Sequence, residues 1–169
     1  DRHDRKLYQA VVDDVESRLE HISDSTRHQL PIESALRVVS AAVRKAIPYN
    51  PDIANRSVYS IGNRPVPLSW FMKVGGGTCT HIPALGAYVC EQLDLRGVLD
   101  VETHLNRNRI NGADGPGHAW CRLRYRPSGL VYILDPAQDV VGIIDDMGEQ
   151  HWPYRQPADS SVYTADDVE

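Results

Sequence analysis

Cys79, His118 and Asp135 are the residues of this chain whose types and surroundings could do chemistry together. Cys79 follows Gly75-Gly76-Gly77-Thr78 and opens a segment in which Ile82, Leu85, Val89 and Leu93 fall on one helical face. Three glycines order at high entropic cost, so they suit a tight loop where backbone approaches another group closely. Thr78 is a good N-cap, and Pro83 falls in the first turn, where a missing N–H costs nothing. Cys79 therefore stands at the mouth of an apolar helix, where free N–H groups and the positive dipole end favour thiolate, the nucleophilic form. A lone Cys is more often a small core hydrophobe, and Cys79 stands out because a base and an orienting group follow it. His118 opens a strand after Gly115-Pro116-Gly117, and Asp135 closes the next one in Leu134-Asp135-Pro136. A thiol nucleophile, a base that takes its proton and a third group that holds the base make a catalytic set.

Two strands must bring His118 and Asp135 together. Ala119, Cys121, Leu123 and Tyr125 alternate with His118, Trp120, Arg122 and Arg124, and Leu130 to Asp135 is a short apolar strand beyond Pro127-Ser128-Gly129. A two-residue loop of Pro127 and Ser128 sets His118 opposite Ala137 and makes Asp135 a diagonal neighbour on the same face. A three-residue loop including Gly129 sends Asp135 to the other face unless a bulge intervenes.

The elements around this hairpin are legible from periodicity. Residues 4–23 carry Leu7, Val11, Val15, Leu19 and Ile22 at helical spacing, and a second helix over Pro31 to Ile47 carries Ile32, Leu36, Val39 and Val43. Both stripes read as core. Residues 48–67 read as a long connection, and Leu68 to Val74 as a helical turn beside the glycine loop. Gly97 is expected to cap the Cys79 helix. Leu99 to Leu105 alternates as a half-buried strand, Asn106 to Gly117 reads as a loop, and Val140 to Ile144 as a last strand, which together imply an antiparallel sheet. From Asp145 the chain is polar, with Trp152-Pro153-Tyr154 as a packed exception and a frayed end.

The order Gly77-Thr78-Cys79, His118-Ala119-Trp120 and Tyr132-Ile133-Leu134-Asp135-Pro136 resembles the transglutaminase-like branch of the papain-like thiol enzymes, over roughly residues 70 to 145. The resemblance implies an α+β fold, helices packed on an antiparallel β-sheet with a papain-like/transglutaminase-like core. It implies one domain over 1–150, with N-terminal helices over 1–47 and a catalytic core over 68–145, followed by a polar tail over 151–169. By resemblance Cys79 is the nucleophile, His118 the general base and acid, and Asp135 the orienting group. One oxyanion donor would be the Cys79 backbone N–H, and Trp70 and Gln138 are the candidates for the second. The implied activity is cysteine-dependent acyl transfer on glutamine side chains of a protein or peptide, as transglutaminase or deamidase, through a thioester. A cysteine protease of the same fold and a non-catalytic peptide- or protein-binding module are the alternatives.

Other features narrow the class. The 169 residues carry a formal net charge of −5, which argues against a nucleic-acid partner. No apolar run approaches the roughly 20 residues of a membrane span. Three Cys do not make a disulfide framework, so Cys90 and Cys121 read as core thiols, and a reducing, cytoplasmic setting is expected. The opening Asp1-Arg2-His3-Asp4 has no signal-peptide pattern and reads as the start of a processed fragment, for which a secreted effector or toxin domain is the alternative setting. His81 and His104 lack a zinc-ligand spacing with Cys79 and His118, no metal or other cofactor is expected, and His3, His21, His28 and His151 read as surface residues. The glycine triplet lacks the Lys-Ser or Lys-Thr of a phosphate loop. Arg107, Arg109, Arg122, Arg124 and Arg126 read as a solvated face that could steer an acidic protein substrate.

Overall fold

In a computed structural model, residues 2–26, 31–53, 66–109, 116–148 and 152–154 are described. Most of the expected 48–67 connection lies outside the described residues, as do His28, His151 and the chain beyond Tyr154.

Helix α1 (Arg2–Thr26) and helix α2 (Ile32–Ala46) form where the apolar stripes predict them. Pro31 precedes α2 and accepts the Ala35 N–H through its carbonyl, and Pro48 follows the helix end. The inward face of α1 is centred on Val12, Val15 and Leu19, one residue round from the expected Val11, and that of α2 on Leu36, Val39 and Val43. Helix α3 (Leu68–Val74) is the expected short helix and ends on Gly75, whose φ of 73° turns the chain as few other residues could. Helix α4 (His81–Leu95) is almost wholly apolar, as befits a helix covered on most sides. It lies between α1 and α2 and the sheet, and the absence of a side chain at Gly86 lets its backbone sit 3.4 Å, measured from where a Cβ would be, from Cys121 Sγ.

The sheet has the order β1 (Val101–Arg109), β2 (Gly117–Tyr125), β3 (Val131–Asp135), β4 (Val140–Ile143), all antiparallel. The fold is therefore α+β, helices on an antiparallel sheet, as expected. Strand β1 runs further than expected: Asn106 to Arg109, read from composition as loop, pair with Trp120 to Gly117. Those asparagines are not loop formers here, because Asn106 and Asn108 are buried on the sheet face away from the helices.

The sheet has two covered faces. Val101, Cys121, Leu123, Tyr132, Leu134 and Val141 join the helices in the main core. On the other face Trp120, Ile133, Ile144 and Tyr154 form a smaller cluster, with Trp152 packed on it. Residues 152–154 are thus the packed exception expected in the polar tail, and the expected boundary at 150 cuts across this contact. Among the described residues no helix is long and apolar enough to cross a membrane.

Candidate active site

The loop before α4 is built by contact as well as by conformation. The Gly77 N–H bonds the Pro48 carbonyl at 2.9 Å, and the Gly77 carbonyl accepts the Asn50 N–H at 2.7 Å. A Cβ on Gly77 would lie 2.8 Å from Ile47 Cγ2, and one on Gly76 2.8 Å from Asn50 Cβ, so both positions need glycine for close approach. Helical geometry begins before His81. The Ile82 N–H reaches the Thr78 carbonyl at 3.0 Å, and Thr80 is already in the helical region at φ −83°, ψ −37°. Thr78 therefore acts as the cap. Its hydroxyl accepts the Thr80 N–H at 3.4 Å, while His81 Nδ1 accepts the Thr78 N–H at 3.1 Å. This is a capping box in which His81 takes the part usually played by Glu or Gln. Burial pushes the His81 pKa down, which keeps the ring neutral and able to accept, and the ring stacks on Phe71 at 3.7 Å. Cys79 consequently occupies a first-turn position whose N–H has no acceptor within the helix.

Strand β2 meets the sulfur at its first residues. Cys79 is half-buried, its Sγ lies 3.9 Å from the Gly117 carbonyl oxygen, and the His118 side chain and the Ala119 N–H are near enough to act on its pKa. Strands β2 and β3 pair in the register that the catalytic arrangement requires: Cys121 faces Leu134 and Arg124 faces Val131, which continues to His118 opposite position 137. The connection is longer than two residues. Tyr125 and Leu130 still pair, with the Tyr125 N–H on the Leu130 carbonyl, and Arg126 to Gly129 make the turn. Two-residue and four-residue loops about the same centre share one register, so the faces come out as the shorter loop predicts. Gly129, at φ 74°, makes the last step of that turn. The turn is held from outside by Arg126, which binds Asp94 at 2.7 Å and Asp100 at 2.9 Å.

His118 and Asp135 are both buried and joined through His118 Nε2 and Asp135 Oδ2. With Nε2 taken by the carboxylate, Nδ1 is the ring nitrogen left for Cys79. Burial works against charge on His118, but the Asp135 hydrogen bond, then the Cys79 contact and both charges, carry its pKa up to about 9. Burial likewise pushes the Cys79 thiol up, but His118 as partner and as cation, with the Ala119 N–H, outweighs it and leaves the thiol below its ordinary value. Both directions favour a thiolate beside an imidazolium over a neutral pair. Cys90 and Cys121 stand in contrast: both are fully buried, and desolvation pushes their pKa values up and keeps them as inert core thiols.

Gln138 and Trp70 are placed differently from one another. The Gln138 side-chain amide stands 3.3 Å from His118 Nε2, and its backbone N–H donates to Asp135 Oδ1 at 3.2 Å. It closes the Asp135 side of the imidazole, the side turned from the sulfur. Trp70 is half-buried on α3, edge-on to Phe71 at 5.1 Å and packed against the main core.

Sequence reasoning missed most of what holds the carboxylate. The Tyr154 hydroxyl donates to Asp135 Oδ2 at 2.9 Å, and the Trp152 ring lies 5.0 Å from the His118 ring. Asn108, opposite His118 on β1, ties this segment down: its Oδ1 accepts the Trp152 indole N–H at 2.6 Å and its Nδ2 donates to the Pro153 carbonyl at 3.2 Å. The available signal was the pair of aromatics in an otherwise polar tail. Among the described residues no three His, Cys, Asp or Glu side chains are gathered to hold a metal ion. What the arrangement can do is deliver a thiolate to an electrophilic carbon and a proton from His118 to the leaving group.

No protein-family model, curated protein or solved structure matches the chain.

Proposed function

We propose that this chain is a cysteine acyl-transfer enzyme of transglutaminase-like architecture acting on glutamine side chains of a protein or peptide. One observation carries the proposal: the buried His118 bridges Asp135 and Cys79, and the sulfur beside it sits below the ordinary thiol pKa. The Cys79 thiolate attacks the side-chain amide carbon. The tetrahedral adduct collapses as His118 gives its proton to the departing nitrogen, which leaves as ammonia. Neutral His118 then takes a proton from an amine or a water molecule, and that acceptor displaces the thiolate from the thioester. An amine gives a cross-link and water gives a glutamate. The Cys79 N–H, at a helix start, is the oxyanion donor that the backbone supplies.

The test is incubation of glutamine-containing peptides with the protein, following ammonia release and uptake of a fluorescent primary amine. Wild-type protein releases ammonia, while Cys79→Ala and His118→Ala do not. New peptide N-termini without ammonia would move the assignment to proteolysis, and no product and no thioester would leave only a binding module.

A further inference from the structure

The cations at the mouth of the site are not part of the chemistry above. Arg107 and Arg109 alternate on the face of β1 that looks toward the start of α4, and both are exposed. Register sets Arg107 opposite Ala119, whose N–H acts on the Cys79 sulfur, and Arg109 opposite Gly117, whose carbonyl is 3.9 Å from that sulfur. The Arg107 guanidinium lies over Gly117: Nη2 is 3.8 Å from where a Cβ at 117 would be. A Cβ there would also meet Arg109 Cγ at 3.4 Å, so glycine lets both arginine side chains lie close over the strand start that meets the sulfur.

Arg107 also differs from the other arginines near carboxylates. Arg18, Arg37, Arg44, Arg96 and Arg126 are each ion-paired. Arg107 has no ion pair among the described residues. Among the described residues, Glu102 on the same strand is bound to His104, and Asp135 is bound to His118. An exposed guanidinium with five fixed donors, lying over the strand start whose carbonyl is 3.9 Å from the Cys79 sulfur, is suited to a planar carboxylate.

We propose that Arg107 is a specificity residue that binds a carboxylate of the acyl-donor peptide, an acidic side chain flanking the reactive glutamine; the substrate part of this rests on the function proposed above. The charge itself is testable without turnover. Cys79 is alkylated with neutral iodoacetamide and with anionic iodoacetate, and the ratio of the two rates is compared between variants, with iodoacetamide reporting the intrinsic reactivity of the sulfur. With the iodoacetamide rate normalising any change in the sulfur itself, Arg107→Gln lowers the iodoacetate-to-iodoacetamide ratio on the order of threefold at low salt, the effect of removing one charge several ångströms away in water. Arg107→Lys largely retains the ratio, Arg107→Glu lowers it further, and added salt brings wild type toward Arg107→Gln. A ratio identical in wild type and Arg107→Gln overturns the proposal. An ordinary, sluggish iodoacetamide rate in wild type counts against the enzyme assignment and leaves the ratio to judge Arg107 alone. If turnover is present, peptides with Glu beside the glutamine have a lower KM than their Gln-flanked counterparts, and Arg107→Gln removes the difference with kcat kept. A preference that survives Arg107→Gln overturns the substrate part, and one seen only for a free peptide C-terminus reassigns the carboxylate and overturns the flanking-residue form.

Discussion

Replacing Tyr154 by Phe isolates one hydrogen bond to the buried carboxylate. The Phe ring keeps the edge contact with Trp120, 5.3 Å between centroids at 72°, so packing is conserved and the hydroxyl alone is lost. That hydroxyl stays protonated at all relevant pH values, because burial and then the neighbouring Asp135 push its pKa up, so it is a constant donor. A hydrogen bond to a charged group contributes about 1.5–3 kcal/mol, which for a domain of this size lowers Tm by roughly 3–12 °C. The effect on His118 has a definite sign. Asp135 keeps the His118 and Gln138 N–H bonds but loses one donor, so more of its charge bears on the imidazolium and the His118 pKa rises. The folded-state value of about 9 already exceeds the ordinary 6.5. The stability that His118 contributes is therefore fully present below about pH 6.5 and is lost as pH rises through about 9, and Tyr154→Phe moves that loss to higher pH. Thermal unfolding gives the first quantity, and NMR titration of the His118 ring in a Cys79→Ala background gives the second, free of the thiol. Stability within about 0.5 kcal/mol of wild type with an unmoved titration would refute the hydrogen bond; a downward shift of His118 would mean that the hydroxyl positions Asp135 and that the electrostatic reasoning is wrong.

Four further outcomes follow from the same geometry. Gly77→Ala places a methyl group 2.8 Å from Ile47 Cγ2 and 3.1 Å from His81 Cβ, and overpacking of this kind costs about 1–3 kcal/mol in unfolding experiments and slows Cys79 alkylation. Gly75→Ala meets nothing within 4 Å and carries only the left-handed backbone cost of about 1–2 kcal/mol, with alkylation unchanged. Asn108→Ala removes both ties to the 152–154 segment, so Trp152 emission shifts to the red, a change absent when Trp152 is already Phe, and limited proteolysis cuts near that segment sooner. Asp135→Asn removes the main group that raises His118, so the His118 titration falls and glutamine turnover drops by about 10²-fold or more, as for loss of an effective acid–base partner.

The helices and the β2–β3 hairpin were legible because they rest on local rules. Apolar spacing placed α1, α2 and α4, whereas the turn sequence left two registers open, and the four-residue loop takes the one in which Asp135 shares a face with His118. Thr78 was readable as a cap, whereas the help it receives from His81 was not, since His is an unusual residue at that position. Composition misled over Asn106 to Arg109. Asparagines favour loops, and the 152–154 segment crossing that face gives the buried Asn108 two hydrogen-bond partners. The same long-range contact explains why Tyr154 went unnoticed as a ligand of Asp135: residues 19 apart meet only after the sheet has formed, and periodicity carries no record of it. Gln138 was read as an oxyanion candidate, and its contact with His118 Nε2 depends on the turn after β3, where Asp139 takes a φ of 59°.

The most direct measurement is the rate of Cys79 alkylation by iodoacetamide from pH 4 to 9, read by peptide mass in wild type, His118→Ala and Asp135→Asn. A thiolate stabilised by His118 predicts a wild-type rate that stays high well below the ordinary thiol pKa of about 8.5. In His118→Ala burial is opposed only by the Ala119 N–H, so the profile moves up to or beyond that value, and Asp135→Asn falls between the two. Superimposable wild-type and His118→Ala profiles, both titrating as an ordinary thiol, would contradict a Cys79–His118 pair and with it the acyl-transfer assignment.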